Sequence, residues 1–385
     1  MRTLSRKMDT QFFREEKKMI YTLENYILFA LIYSSVKEGR FPSQEYDSDI
    51  LVEIFKTSII DKENIFEVSE NKKLEMINKS AKILQNRNSR INIEKRIENM
   101  RSLFIETDKL NNLAKKIPLE IDLLEKNNIK TIGYEDEKYP KHLKEINNPP
   151  FIIFYKGYFP NDRELEKSLA IIGTRNPEEK YGREVARRVG KTLLDEGWWN
   201  ISGLAVGCDE YGHKGSIGAT GAILAQGLAT PIFPKENTDL AKEILDNGGF
   251  LMSELPPSIK PNATFFVLRD RLQSGLTRGI FVVETSCKSG TLHTVKYALE
   301  QNRKTFIWNP IFVKDLQNEN EVQGNIGLLD KTEKKYEFNV TIPKQLKQHT
   351  IPVKNNKHLL EYLKKIESEI KFEKNREEFL QNKLF

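Results

Sequence analysis

Short apolar segments alternate with longer helical segments between residues 169 and 310, and this alternation is the strongest constraint on the fold. Five helices are predicted here, over residues 179–196, 208–218, 238–247, 267–277 and 290–302. Six strands are predicted between and around them: LAIIG, NISGL, GAILAQ, FLMSEL, GIFVVET and KTFIWNP. Apolar strands that alternate with helices build a parallel sheet covered on both faces. The sequence therefore predicts an α/β fold whose core, residues 166–312, is a Rossmann-like doubly wound parallel sheet.

The flanking regions differ from this core in composition. Residues 1–120 are rich in Lys, Glu, Asn and Ile, with apolar residues at helical intervals, so they predict an all-helical N-terminal domain. Residues 121–165 hold two short strand candidates and predict a lead-in segment that packs on the core. Residues 313–385 form a charged C-terminal tail, in which NNKHLLEYLKKIESEIKFEKNREEFL predicts one amphipathic helix for packing or for a dimer contact.

Charge and cysteine content restrict the class of protein. The net charge of +6 and the pI near 8.9 permit a polyanionic partner without requiring one. Two cysteines, Cys208 and Cys287, are too few for a disulfide framework and suit a reducing compartment. The sequence has neither an apolar run of the roughly 18 residues that span a membrane nor an N-terminal secretory signal. We expect a cytoplasmic protein with no membrane contact.

Polar and cationic residues follow the predicted strands at their carboxyl ends, which is where ligands bind in open α/β sheets. The first strand is followed by one glycine and then by Thr and Arg, whereas turns that cradle a nucleotide phosphate usually carry several glycines. Arginine grips phosphate in a two-pronged manner and lysine acts as a point charge. The sequence therefore predicts an anion site formed by Gly173, Thr174, Arg175, Asn176, Gly203, Lys235, Asn237, Ser289, Gly290 and Thr291.

Two parts of this prediction have alternatives. Ser289, Gly290 and Thr291 precede a predicted helix, where free amides favour a phosphate, but simple N-capping would explain them equally well. Arg269 and Arg271 are placed near the start of the helix predicted over 267–277, where cations oppose the helix dipole. These two arginines therefore either contact a ligand or pair with carboxylates such as Glu254 and Asp270.

Several kinds of catalytic site are not predicted. The loops contain no Ser-His-Asp order, no HExxH and no Cys/His spacing suited to zinc. His213 and His293 are expected to cap or pack, and the later glycines and ribose-binding acid of a dinucleotide site are not convincing. The sequence therefore predicts no cofactor, no metal and no catalytic residue.

A series of segments in a fixed order resembles the DprA/Smf family of DNA-processing proteins over residues 121–310. The segments are DEKYPKHLKEINNPPFIIFYKG, IIGTRNPEEKYG, ISGLAVGCDEYGH, IFPKEN, LMSELPP, RDRLQSGLTRGIFVVET and KSGTLHTVKYALEQNRKTFIW. The resemblance implies a dimeric, non-catalytic protein that binds and protects single-stranded DNA and loads a RecA-type recombinase onto it. By motif position it implies that Arg175 and Lys235 grip the DNA backbone. The family's Arg-Asn-Arg is Arg269-Asp270-Arg271 in this chain.

Two other functions remain open at this point. SGTLHTVKYALE also resembles the phosphate loop and following glutamate of Rossmann-like enzymes that hydrolyse nucleoside phosphates. The atypical N-terminal region is compatible with a nucleic-acid or nucleotide sensor in a defence system. Among these possibilities the sequence favours the single-strand binder, with its binding site within residues 121–312.

Overall fold

A computed structural model describes most of the chain, namely residues 19–37, 48–87, 92–106, 108–179, 181–312, 320–332 and 336–383. The first 18 residues, on which the argument against a secretory signal depended, lie outside this part. Among the helices of these residues, none combines the length and the apolar character of a membrane-spanning segment.

In the part of the chain that the structure describes, nine strands form one sheet. They are β1 (Lys130–Gly133), β2 (Ile152–Gly157), β3 (Ser168–Ile172), β4 (Trp199–Ser202), β5 (Thr220–Ile223), β6 (Phe250–Ser253), β7 (Gly279–Val282), β8 (Lys304–Trp308) and β9 (Thr350–Val353). Their order is β1-β2-β6-β5-β4-β3-β7-β8-β9, and from β6 to β9 all neighbours are parallel. The chain runs outward from β3 to β6 and then returns to β7 on the other side of β3. This doubly wound parallel core confirms the predicted fold class.

Helices cover both faces of the sheet. On one face lie α9 (Gly182–Asp195), α10 (Cys208–Gly215), α11 (Thr238–Asp246) and α16 (Asn356–Lys383). On the other lie α12 (Ala263–Leu276), α13 (Thr291–Glu300) and α14 (Gln323–Leu329). The short helices α7 (Lys141–Lys144), α8 (Asp162–Leu165) and α15 (Lys344–Lys347) complete this part of the chain. The strands that face these helices carry buried aliphatic and aromatic side chains, as the apolar runs predicted.

Within the described residues six helices precede the sheet, in agreement with the helical N-terminal region that the sequence predicted. They are α1 (Leu23–Lys37), α2 (Ser48–Asp61), α3 (Glu70–Arg87), α4 (Ile93–Phe104), α5 (Asp108–Ala114) and α6 (Ile117–Lys126). Their core is continuous with the rest of the molecule: Phe151, next to β2, packs its ring 5.0 Å from Phe29 and 4.9 Å from Phe55. Leu204 and Leu224, from beyond β4 and β5, belong to the same buried cluster.

Three features of the fold differ from the sequence expectation. The lead-in segment adds β1 and β2 to the sheet as antiparallel strands, and the tail adds β9 besides its predicted helix, α16. Helix α12 begins at Ala263 rather than at residue 267, because the Asn262 side chain accepts a hydrogen bond from the N–H of Phe265 and caps the helix. Arg269 and Arg271 therefore lie inside the helix, and the placement near a helix start was wrong.

Candidate functional site

A cleft of about 820 Å³ opens at the carboxyl ends of β3 and β7, where the direction of winding reverses. This is the position at which doubly wound sheets bind ligands. The loop after β3, one side of α12 and the first turn of α13 form its walls. Seven of the residues predicted from the sequence line it, namely Gly173, Thr174, Arg175, Arg269, Ser289, Gly290 and Thr291.

An exposed arginine and an aromatic pair stand at the mouth of the cleft. The guanidinium of Arg175 lies 5.9 Å from the ring centre of Phe266, on the first turns of α12. The Phe266 ring is 5.4 Å from that of Phe233, which is 45 % exposed although it is a large apolar side chain. Flat rings beside a cation suit ligands that combine planar, apolar rings with negative charge.

The first turn of α13 faces the cleft from the opposite wall. Gly290 occupies the N-cap position and supplies no capping side chain, while the Ser289 hydroxyl accepts a hydrogen bond of 3.2 Å from the N–H of Thr291. The N-terminus of this ten-residue helix presents the positive end of its dipole. An anion in the cleft would therefore be favoured by this wall as well as by Arg175.

The floor of the cleft contains a fixed arginine between two carboxyl groups. Arg269, 7 % exposed, donates two hydrogen bonds of 2.6 Å to the carbonyls of Gly203 and Ile223, and its Nε lies 3.3 Å from Asp270. The carboxylate of Asp209 accepts the N–H of Gly203 at 2.9 Å. Burial raises the pKa of Asp270 to about 7, against the opposing effect of the Arg269 charge. Burial also raises the pKa of Asp209.

The floor is therefore preorganised, with the Arg269 guanidinium held in place beside the Asp270 carboxyl group. Because two hydrogen bonds of Arg269 go to backbone carbonyls, its guanidinium cannot swing out toward a ligand without leaving two buried acceptors unpaired. The exposed positive charge among the residues that line the cleft comes from Arg175, on the rim.

Two of the predicted residues act on the backbone beneath the cleft. Gly203 is buried and supplies the N–H and C=O groups that hold Asp209 and Arg269. Asn237 is 2 % exposed, and its side chain donates a 3.0 Å hydrogen bond to the carbonyl of Leu204. Leu204 has a φ of +60°, a conformation that costs free energy in a branched residue and often occurs near functional sites. Asn237 thus fixes the loop after β4.

Three further predicted residues lie outside the cleft lining. Asn176 and Lys235 are exposed; Lys235 begins a short 3-10 turn two residues beyond Phe233. Arg271 is 4 % exposed and forms a two-pronged ion pair with Glu254, at 2.6 and 2.5 Å. The ion-pair alternative considered from the sequence is therefore what the structure shows for Arg271.

The aromatic pair was not predicted from the sequence. Phe266 precedes Arg269 by three residues in FFVLRDR, so the two side chains share a helix face, and this spacing was an available signal. Phe233 had no comparable signal, because it reaches Phe266 only through the loop after β5. In the described ranges no three His, Cys, Asp or Glu side chains are grouped as a metal ion would require.

The fold and the cleft define a doubly wound α/β protein with a cation-edged, aromatic-lined cleft at the point where the strand order reverses. The family model for DNA recombination-mediator protein A matches residues 130–337, more than half of the chain. The chain belongs to this family.

Relatives support this assignment. The DNA processing protein DprA of Bacillus subtilis is 38% identical over 197 residues, which are 50% of this chain and 64% of that protein. The Smf proteins of Escherichia coli and Synechocystis are 36% and 35% identical, over 50% and 51% of this chain and 51% and 48% of their own lengths. The chain thus covers less than two thirds of the length of each of these relatives.

Solved structures share the fold. The crystal structure of DprA from Streptococcus pneumoniae aligns with a TM-score of 0.55 at 22% identity, over 80% of this chain and 98% of that one. DNA processing protein A from Helicobacter pylori, described for its single-stranded DNA binding mode, aligns with a TM-score of 0.50 at 21% identity, over 63% and 96%.

Proposed function

We propose that this protein binds single-stranded DNA in the cleft and passes the strand to a RecA-type recombinase. The observation that carries the proposal is the position of Arg175 beside the Phe266–Phe233 pair at the rim. Proteins that bind single strands combine cations that follow the backbone with aromatic rings on which bases stack. Arg175 supplies the first element and the two phenylalanines supply the second.

The chemistry of the cleft favours a strand over a lone nucleotide or a duplex. A duplex hides the faces of its bases, so exposed rings such as Phe233 could not stack on them. A lone nucleotide is usually held by a glycine-rich turn, whereas the turn after β3 has one glycine followed by Thr174 and Arg175. A phosphate between Arg175 and the first turn of α13 would leave its base free to reach Phe266.

The proposal also covers partners and the lack of catalysis. Family membership supports a mediator that protects strands, acts as a homodimer and delivers DNA to a recombinase without a chemical step. The recombinase and the second copy of the chain rest on the family resemblance, and the strand-binding cleft rests on geometry as well.

The test is binding to single- and double-stranded oligonucleotides of graded length, measured by fluorescence anisotropy. We expect the single strand to bind more tightly, and Arg175→Ala to weaken it by about tenfold, the effect of losing one hydrogen bond to a charged group. Arg188→Ala is the matched control, because Arg188 is an exposed arginine on α9 whose guanidinium pairs with Glu184. Preference for the duplex, or equal affinities of the two variants, would refute the proposal.

A second candidate, hydrolysis of nucleoside phosphates, is favoured by one observation. Asp270 lines the cleft with a pKa raised by burial to about 7, a value suited to proton transfer at neutral pH. Against it, Glu300, the glutamate of the resembling motif, lies at the far end of α13 from the cleft. Incubation with nucleoside monophosphates would test it: release of base by the wild type but not by Asp270→Asn would establish this activity.

A further inference from the structure

A tyrosine surrounded by three cations lies outside the cleft, on the face of the sheet covered by α9 and α10. The guanidinium carbons of Arg183 and Arg187 lie 5.5 and 5.6 Å from the ring centre of Tyr211, and the Nζ of Lys214 lies 5.2 Å from it. We call Arg183, Arg187, Tyr211 and Lys214 the outer patch. None of them lines the cleft.

Close packing of the two helices creates this cluster. A Cβ atom on Gly190 of α9 would lie 2.3 Å from the carbonyl of Gly212, and one on Gly215 of α10 would lie 2.1 Å from the carbonyl of Arg187. Glycine at both positions therefore lets the helix backbones touch. Arg183 and Arg187 are one turn apart on α9, so both side chains reach the ring that α10 presents.

The charges of the outer patch are only partly neutralised. Arg183 has a carboxylate of Glu179 at 3.6 Å, and Lys214 pairs with Glu210 at 2.5 Å. Arg187 is exposed and forms no ion pair within the part of the chain that the structure describes. Arg188, its neighbour along α9, is paired with Glu184 at 2.5 Å. The outer patch therefore offers one unpaired guanidinium next to an aromatic ring.

Helix α10, which carries Tyr211 and Lys214 of the outer patch, begins against the loop that forms the rim of the cleft. The carbonyl of Thr174, in the loop after β3 that also carries Arg175, accepts a 3.1 Å hydrogen bond from the N–H of Cys208. Gly207 approaches the carbonyls of Thr174 and Arg175 so closely that a Cβ there would overlap both. Tyr211 follows one helical turn later, about 5.4 Å along the axis of α10.

We propose that the outer patch is a second contact for single-stranded DNA, which holds the part of the strand that leaves the cleft past Arg175. This inference rests on the proposed function, because it extends the path of the same ligand. The outer patch repeats the chemistry of the rim, with cations for phosphates and a ring for a base. The alternative occupant, an acidic protein surface, would use the charges but would not depend on strand length.

Strand length separates the two contacts. Oligo-dT of about 4 and of about 16 nucleotides, the ends of the range of site sizes known for single-strand-binding folds, would be titrated against the full chain. Arg187→Ala should leave the affinity for the short strand unchanged and lower the affinity for the long strand by about tenfold. It should also reduce the log–log salt slope for the long strand by about 0.7. Arg188→Ala removes the same charge from the adjacent position and should change the affinity for neither strand.

Tyr211 provides an independent variant. Tyr211→Ala should weaken binding of the long strand alone. Tyr211→Phe should bind the long strand as tightly as the wild type, because the ring remains. Melting temperatures would show that both variants are folded. Equal affinities of Arg187→Ala and Arg188→Ala for the long strand would overturn the inference. The two proposals fail in different ways: if the wild type binds neither strand, the proposed function fails, and if binding depends on Arg175 but not on Arg187, only the outer patch fails.

Discussion

Arg271 and Glu254 form a two-pronged ion pair in the interior, with nitrogen–oxygen distances of 2.6 and 2.5 Å and side chains 5% and 8% exposed. The ring of Tyr33, from α1, faces the same guanidinium at 5.8 Å, and the carbonyl of Asn148 accepts its Nε–H at 2.9 Å. The pair therefore ties α12, one wall of the cleft, to the end of β6 and to the helical region. These contacts favour a structural role for an arginine that the sequence placed in the DNA site.

We expect Arg271→Ala to lower the free energy of unfolding by about 3–5 kcal/mol, because it leaves the Glu254 carboxylate buried without its partner. Urea denaturation of the variant and the wild type measures this loss. The salt slope of strand binding should not change once corrected for the folded fraction. A stable Arg271→Ala variant with a flatter slope would instead mean that Arg271 contacts phosphate.

We expect strand binding to depend on pH through Asp270. Its pKa is raised to about 7 by burial, so the carboxyl is mostly neutral at pH 6 and charged at pH 8. The charged form repels phosphate, so affinity should fall as pH rises from 6 to 8, by on the order of 1 kcal/mol or about fivefold. Asp270→Asn should bind tightly throughout this range. Titrations at constant ionic strength would check both expectations.

Two other groups near the cleft, His213 and Glu284, do not produce the same effect. Burial lowers the pKa of His213 to about 3, so its imidazole stays neutral between pH 6 and 8. Burial also lowers the pKa of His293. Burial raises the pKa of Glu284 to about 7 as well, but Glu284 is buried and does not line the cleft. If Asp270→Asn keeps the full pH dependence of the wild type, the titrating group is not Asp270.

The same shift predicts how stability varies with pH. The folded-state pKa of Asp270 lies above the value of an unfolded aspartic acid, so the folded state binds more protons between about pH 4 and 7. Stability from this group is fully present below pH 4 and is lost as pH rises through 7. The Asp270→Asn variant should therefore lose less stability than the wild type between pH 5 and 8, as thermal melts would show.

Base stacking on the phenylalanines at the rim can be tested with a substitution that leaves the charge of the protein unchanged. Phe266→Leu keeps an apolar side chain but removes the ring, and we expect it to weaken oligo-dT binding by about 1–3 kcal/mol, the usual contribution of stacking on one base. Phe372→Leu, at a 70% exposed position on α16, makes the same change away from the cleft and should have no effect. Indistinguishable affinities of the two variants would exclude stacking on Phe266.

The sheet could be predicted because its strands are short, apolar and separated by helices. The apolar runs around Ile171 and Phe281 predict buried strands whichever neighbours they pair with. The helical connections between strands then restrict the sheet to a few possible strand orders. The edge strands were harder to place. Pairing of β1 with β2, and of β9 with β8, depends on distant partners that local patterns do not encode.

The site was predictable in part for the same reason. Arg175 and Ser289 follow strands that are neighbours in a doubly wound sheet, so topology alone brings them to one cleft. The roles of Arg269 and Arg271 were not predictable, because they depend on which carbonyls and carboxylates meet α12 in the folded chain. The predicted start of α12 was four residues too late. This error placed both arginines near the positive end of the helix dipole, where they do not lie.

The division of the chain at residue 120 stays a prediction, and the shared core limits what truncation can test. The carboxylate of Glu120, fully buried on α6, accepts the N–H of Ser258 at 3.0 Å and the hydroxyl of the same residue. Without α1 to α4, Phe151 would lose its ring contacts with Phe29, Tyr33 and Phe55. We expect a chain truncated before Asn111 to aggregate or to melt well below the full chain in differential scanning fluorimetry. A truncated chain as stable as the full one would show that the two regions fold independently.

Substitution of Lys235 can show whether the loop after β3 and the loop after β5 both contact the same DNA strand. It is exposed, two residues beyond Phe233, whereas Arg175 follows a different strand, so both can contact neighbouring phosphates only if the DNA crosses the rim between them. Each contact should release condensed counterions and contribute about 0.7 to the log–log salt slope. Lys235→Ala and Arg175→Ala should therefore each flatten the slope by about 0.7, and the double variant by about 1.4, with little change in sequence preference. Lys242→Ala, an exposed lysine on α11, is the matched control. A purely structural role would lower the melting temperature and leave the corrected slope unchanged, so two stable variants with the wild-type slope would exclude phosphate contacts by both residues.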